Sequence, residues 1–245
     1  LHLSIRRQRQ MCIRDSIVTP LPLFKDIIPI VLIIFNYIKL KIIMGLFIVF
    51  EGMDGSGQTT QAKLLYEKLK EDGYKVWLTK EPTENYETGK LIRKILKEES
   101  PFNNLALQLL FMADRAYHVD EIKEKLKKGY IVISDRYFFS TIVYSSLSNE
   151  KYYDIFKKFN EKFFPLPDIL FILLLDPKVA IKRIEKRGGK KEVFEDLEKL
   201  KKIKEGYERI FRDYKGKIKV KILNAEKSIS ELSEEIFEKG LIKYA

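Results

Sequence analysis

The chain is almost without cysteine and histidine, and each shortage removes a class of chemistry. Cys12 is the single cysteine, so no internal disulfide can form and no thiolate cluster can hold zinc. A reducing, intracellular setting fits this usage. His2 and His118 are too far apart in sequence to make the close histidine pair of a helical metal site, which leaves hard cations held by oxygen. Long apolar runs are missing as well. The longest uncharged greasy stretch, Ile27 to Ile38, is shorter than the roughly 20 residues of a membrane-spanning helix.

What is present is core material. Of 245 residues, 45% are hydrophobic and 33% charged, which excludes a disordered or fibrous chain. The formal charge of +11 favours phosphates, nucleotides, nucleic acid or an anionic membrane as partners.

Residues 1–43 differ from the rest. They contain no Glu, use Arg6, Arg7, Arg9 and Arg14, and crowd Pro20, Pro22 and Pro29 together. No small-residue cleavage site follows the apolar part, as a secretory signal requires. Gln8 to Ser16 (QRQMCIRDS) resembles translated sequencing-adapter sequence. The expectation is a non-native or disordered leader over 1–43, with Met44 as the start; a membrane-surface anchor is the alternative. Setting the leader's 7 basic and 2 acidic residues aside lowers the formal charge to +6 on 202 residues. With no clustered basic and aromatic stripe, neither nucleic acid nor membrane is an expected partner.

From Leu46 onward, short apolar runs alternate with amphipathic ones, each separated by a turn signal. The pattern predicts an α/β fold with five parallel strands: Leu46–Phe50, Val76–Leu78, Ile131–Ser134, Ile169–Leu175 and Ile218–Leu223. The first helix is placed at about Thr59 to Asp72, before Gly73. Between Val179 and Tyr214, Gly188 and Gly189 break a Lys- and Glu-rich helical pattern into two helices around a basic loop.

Gly52-Met53-Asp54-Gly55-Ser56-Gly57-Gln58-Thr59, followed by Thr60, has the G-x-x-x-x-G-x-T spacing between a buried strand and a helix start. That context makes a phosphate cradle, because glycines let backbone N–H groups and the positive helix end face an anion. The consensus lysine is replaced by Gln58, which can donate a hydrogen bond but carries no charge. A glycine turn without a ligand, a slowed kinase, and a binding protein that has lost catalysis all remain open at this point.

Farther along stand Lys80 to Thr83 (KEPT), Leu110 to Val119 (LFMADRAYHV) and Asp135 to Ser145 (DRYFFSTIVYS). Asp135 follows a strand and so falls at a carboxyl end, where open α/β sheets bind ligands. Phe111 is four positions before Arg115 and shares its helix face. The plainer readings are a core Phe111 and Tyr144, a buried Asp135 and Arg136 ion pair, an Asp114 that faces solvent or supports Arg115, and a helix-surface His118.

With the glycine loop, these four motifs in order resemble the thymidylate kinases, and the resemblance runs from Met44 to the C-terminus. It implies a three-layer P-loop kinase fold with a five-stranded parallel sheet flanked by helices and a short lid, hence a kinase domain over 44–245. It implies a cytoplasmic, dimeric enzyme moving the γ phosphoryl of ATP to dTMP with Mg²⁺. Another nucleoside monophosphate acceptor and a binding-only descendant are the alternatives. Gly52, Met53, Asp54, Gly55, Ser56, Gly57, Gln58, Thr59 and Thr60 would hold the ATP phosphates. Thr59, Glu81 and Asp135 are implied at the metal. Arg115 and Arg136 would grip the acceptor phosphate, with Asp54 near the acceptor sugar and phosphate, Phe111 over the base, Thr141 bonded to it and Tyr144 by the sugar. Gln58, Asp135, Arg136 and the lid arginines Arg183 and Arg187 are the catalytic candidates. Where the family often has Arg before the Phe194-Glu195 pair, this chain has Val193. A solvated, charged helix end is the plainer reading of that lid.

Overall fold

The computed structural model describes residues 45–98, 102–186 and 197–237. The leader over 1–43, the start at Met44, and the lid residues Arg187, Gly188, Gly189, Lys190, Lys191, Val193, Phe194 and Glu195 lie outside the described residues.

Five strands, β1 (Leu46–Gly52), β2 (Val76–Lys80), β3 (Ile131–Asp135), β4 (Ile169–Leu174) and β5 (Lys219–Asn224), form one sheet in the order β2-β3-β1-β4-β5. Every pairing is parallel. Composition explains the order. The nearly unbroken apolar runs of β1, β3 and β4 suit strands covered on both faces, and they occupy the middle. Half-exposed β2 and β5 take the edges, where Lys219 and Lys221 discourage pairing with another chain.

Among the described residues, eight helices flank the sheet: α1 (Gln58–Glu71), α2 (Glu87–Glu98), α3 (Asn104–Lys127), α4 (Phe138–Ser146), α5 (Lys151–Phe163), α6 (Pro177–Lys186), α7 (Leu197–Tyr214) and α8 (Ile229–Glu234). In α7 the buried positions Leu200, Ile203, Tyr207, Ile210 and Tyr214 recur at helical spacing, so one stripe enters the core and the lysines stay outside. Each such large side chain, fully buried, contributes about 1.5–3 kcal/mol. Among the described residues no helix is long and apolar enough to cross a membrane.

For the site, the decisive pairing is β1 beside β3, with Phe50 level with Asp135. The loop after β1 and the Asp-Arg pair after β3 therefore emerge side by side at the carboxyl edge of the sheet.

Candidate active site

The loop from Gly52 to Gly57 is built on backbone that tolerates little else. A Cβ at Gly52 would lie 2.6 Å from the Leu173 carbonyl and 2.8 Å from Ser56 Oγ, so only glycine lets β4 and the loop approach so closely. Gly57 adopts φ 83° at the head of α1, a left-handed conformation natural to glycine. That helix has no side-chain cap and no acidic residue in its first turn. No side chain of its own first turn neutralises the positive end that faces the loop.

Asp135, nearly buried at the end of β3, accepts a 2.6 Å hydrogen bond from Thr59 Oγ1 and a 3.1 Å bond from Gln58 Nε2. Gln58 therefore fills the consensus lysine position with a neutral donor turned toward the carboxylate. Its Oε1, like Ser56 Oγ, is buried without a protein partner.

Arg136 takes φ 72°, strained for a side chain with a Cβ. The turn is held because Arg136 N donates to Phe50 O at 2.9 Å and Ser134 Oγ donates to Arg136 O at 2.6 Å. Its guanidinium donates to the Asp54 carboxylate, to Gly52 O at 3.2 Å and to Ser140 Oγ at 3.2 Å. Burial opposes its charge, but Asp54 and the neighbouring acids outweigh that and raise its pKa well above the ordinary value. Tyr144 OH donates to Asp54 at 3.4 Å, and burial, then Asp54, pushes its phenol upward.

Arg115 is 1% exposed. Its Nε donates to Glu81 Oε2 at 2.8 Å, Nη1 to Asn160 Oδ1 at 3.1 Å and Nη2 to Thr141 Oγ1 at 3.1 Å, with Nη2 also 2.7 Å from Glu81. The resemblance implied an arginine forked onto a phosphate; here most of its N–H groups already have protein acceptors. Glu81 is likewise engaged, with Oε1 3.0 Å from His118 Nδ1, and it lines one cavity with Thr59 and Asp135. His118, read from sequence as a helix-surface residue, is in fact 1% exposed and 2.7 Å from Thr79 Oγ1. The helical face it shares with Arg115 points toward β2 and its following loop, which hydropathy alone does not reveal.

Asp114 also faces inward. It accepts from Thr83 N at 2.8 Å, Thr83 Oγ1 at 2.7 Å and Thr88 Oγ1 at 2.9 Å, and so fastens the loop after β2 to α3.

A cavity of about 450 Å³ brings the loop residues from Met53 to Thr60 together with Glu81, Phe111, Arg115, Asp135, Arg136, Thr141 and Tyr144. Phe111 is half-buried, packed against the small cluster of Ile92, Ile95 and Leu107, and still lines this cavity. Arg183 stands apart from its lining, with Nη1 donating to Ala225 O at 2.8 Å and to Gly55 O at 3.4 Å. Sequence reasoning passed over Ser140, which lines the cavity, and Glu51, Asn160 and Tyr207, which bond to the lining residues from behind. Glu51 carried the clearest signal, a carboxylate in the otherwise apolar LFIVFEG strand.

A parallel sheet of order 2-3-1-4-5, a glycine loop running from β1 into a helix, and an aspartate on the adjacent strand beside the loop threonine define a P-loop kinase fold. The sequence matches the thymidylate kinase family model over residues 50–236, and the chain belongs to that family. A probable thymidylate kinase of Pyrococcus horikoshii is 39% identical over 206 residues, 82% of this chain and 97% of that protein. One from Methanocaldococcus jannaschii is 40% identical over 192 residues, 78% of this chain and 94% of that protein. Another, from Methanococcus maripaludis, is 46% identical over 174 residues, 71% of this chain and 81% of that protein.

Proposed function

We propose that the chain transfers the γ-phosphoryl group of ATP to dTMP, giving ADP and dTDP for dTTP synthesis, and that Gln58 slows this transfer. The observation that carries the proposal is the Arg136 guanidinium bridging Asp54 of the phosphate loop and the cavity lined by Phe111, Thr141 and Tyr144. It lies where the anionic tails of two nucleotides would meet.

The loop N–H groups from Met53 to Thr60 bind the donor phosphates, and Arg136 holds the acceptor phosphate through its planar fork. Phe111 covers the base, while Arg115 and Thr141, already bonded to each other, address its polar edge. Tyr144 and Asp54 lie at the sugar. Transfer is direct and in line, so these side chains supply position and charge rather than a covalent intermediate. Arg183, braced against the loop backbone, acts at the donor side.

The donor set suits Mg²⁺: Thr59 and Asp135 offer hard oxygens within 2.6 Å of each other at the loop. Among the described residues no group of three or more His, Cys, Asp or Glu converges, which suits an ion held chiefly by water and phosphate oxygens. Glu81, committed to Arg115 and His118, supports the base side instead. When bound, the ion supplies charge neutralisation at the phosphates.

A homodimer is also proposed, because Ile155, Phe159 and Phe163 form an exposed apolar stripe on α5 that a second copy can cover; light scattering on the purified chain tests it. A cytoplasmic location accompanies the activity. The activity is tested with a panel of dTMP, dUMP, UMP, AMP and deoxynucleosides, scored by nucleotide-dependent ADP formation. Turnover with dTMP preferred supports the proposal, and preference for another acceptor rejects it.

A further inference from the structure

The α4 helix that follows Arg136 begins with one local backbone bond, Ser140 N to Tyr137 O at 3.2 Å, and no side-chain cap of its own. Its first-turn cap residue, Tyr137, makes no side-chain capping bond. The missing acceptor arrives from β1. Glu51 Oε1 accepts Tyr137 N at 2.9 Å and Ser140 N at 3.0 Å, the N-cap and third-residue N–H groups that two side chains share in a capping box. Its other oxygen, Oε2, accepts Ser140 Oγ at 2.6 Å and Tyr207 OH at 2.9 Å. All four contacts are made by a carboxylate with no exposed surface.

This arrangement has a direct consequence for Arg136. That residue links β3 to the capped helix, beside Glu51's strand, in a strained left-handed conformation that persists only where the surroundings over-determine it. Ser140 is the hinge of the arrangement, since its Oγ donates to Glu51 and accepts Arg136 Nη1. We infer that Glu51 is a positioning residue for acceptor binding: it caps α4 from the neighbouring strand and, through Ser140, aims the Arg136 guanidinium at the acceptor phosphate. Tyr207 extends the same clamp to α7. Glu51 itself touches no substrate, and its role rests on the assignment of Arg136 to the dTMP phosphate.

A double-mutant cycle tests it. Glu51→Asp keeps the charge but draws the carboxylate back by one methylene, so it cannot reach the helix and the hydroxyls together. It raises the KM for dTMP on the order of 10- to 100-fold, with the KM for ATP changed by less than about 2-fold. Glu51→Gln, which can accept the two N–H groups and donate to both hydroxyls, recovers most of that loss. In an Arg136→Ala background, Glu51→Asp costs less than about 2-fold further in kcat/KM for dTMP, because its effect passes through the missing arginine. Losses that multiply in that background, or equal rises in both KM values, overturn the inference.

Should Glu51→Asp fail to fold, Tyr207→Phe removes one arm of the clamp without touching Arg136 and takes its place in the same cycle. A wild-type chain inactive on dTMP rejects the activity rather than the clamp. The clamp is then judged by amide hydrogen exchange, which must quicken at Tyr137 and Ser140 in Glu51→Asp while mid-β3 amides stay protected. Unchanged exchange at both amides rejects it.

Discussion

Gln58 Nε2 donates to Asp135 Oδ1 at 3.1 Å, tying the loop residue that the family consensus makes a lysine to the aspartate at the end of β3. A neutral amide in that position can orient Asp135 but cannot follow charge onto a migrating phosphoryl group. The substitution removes a cation and leaves the surrounding cradle intact.

The corresponding expectation is a gain of activity. Gln58→Lys raises kcat for dTMP phosphorylation by on the order of 10²-fold or more, the scale of one preorganised transition-state donor, while the KM for dTMP changes little. Steady-state kinetics on both forms measures it. Equal kcat values would contradict this expectation.

Removing divalent cation by chelation abolishes turnover, and added Mg²⁺ restores it. Thr59→Ala raises the Mg²⁺ concentration needed for half-maximal rate if, as proposed, Thr59 and Asp135 are the protein oxygens that hold the ion. A Mg²⁺ titration of each variant checks this. Identical curves would remove Thr59 from the metal site.

Asp114→Ala destabilises the fold by about 3 kcal/mol. It strands the Thr83 amide and hydroxyl and the Thr88 hydroxyl, three donors that are wholly or partly buried. Chemical denaturation gives the value. The change also loosens the loop after β2, so the KM for dTMP rises in the surviving folded protein.

Glu51 gives a pH signature. Burial, its largest influence, raises the carboxyl above the ordinary value, and Arg136, Ser140, Tyr137 and Tyr207 only partly offset this. Between the ordinary and raised values the native state binds more protons than the unfolded chain. The stabilisation is therefore complete below the ordinary carboxylate range and is lost as pH rises through the native value. Glu51→Gln titrates nothing there. Denaturation at about pH 4 and about pH 8 should show wild type losing stability relative to the variant as the pH rises. A relative gain with rising pH would contradict the assignment.

The sequence disclosed the fold to the extent that single strands disclose it. Leu46–Phe50, apolar throughout and suited to a strand covered on both faces, falls in central β1, and the expected strand Ile169–Leu175 forms β4 as Ile169–Leu174. The neighbourhood of Gly52 and Asp135 followed from the carboxyl-end rule once β1 lay beside β3. Side-chain direction was harder. His118 and Asp114 look solvated in a helix whose composition is polar on several faces, yet α3 buries both against the loop after β2. Glu51 and Tyr207 are 156 positions apart, so their contact depends on how α7 docks, and no local pattern encodes it.

The most direct test of the whole account follows the phosphorus. The protein, in wild-type and Gln58→Lys forms, is incubated with ATP labelled in its γ-phosphoryl group, dTMP and Mg²⁺, and the products are separated. The account predicts label in the β position of dTDP, matched one for one by ADP, and faster in the lysine form. Label released only as inorganic phosphate, or no dTMP-dependent transfer by either form, would contradict it.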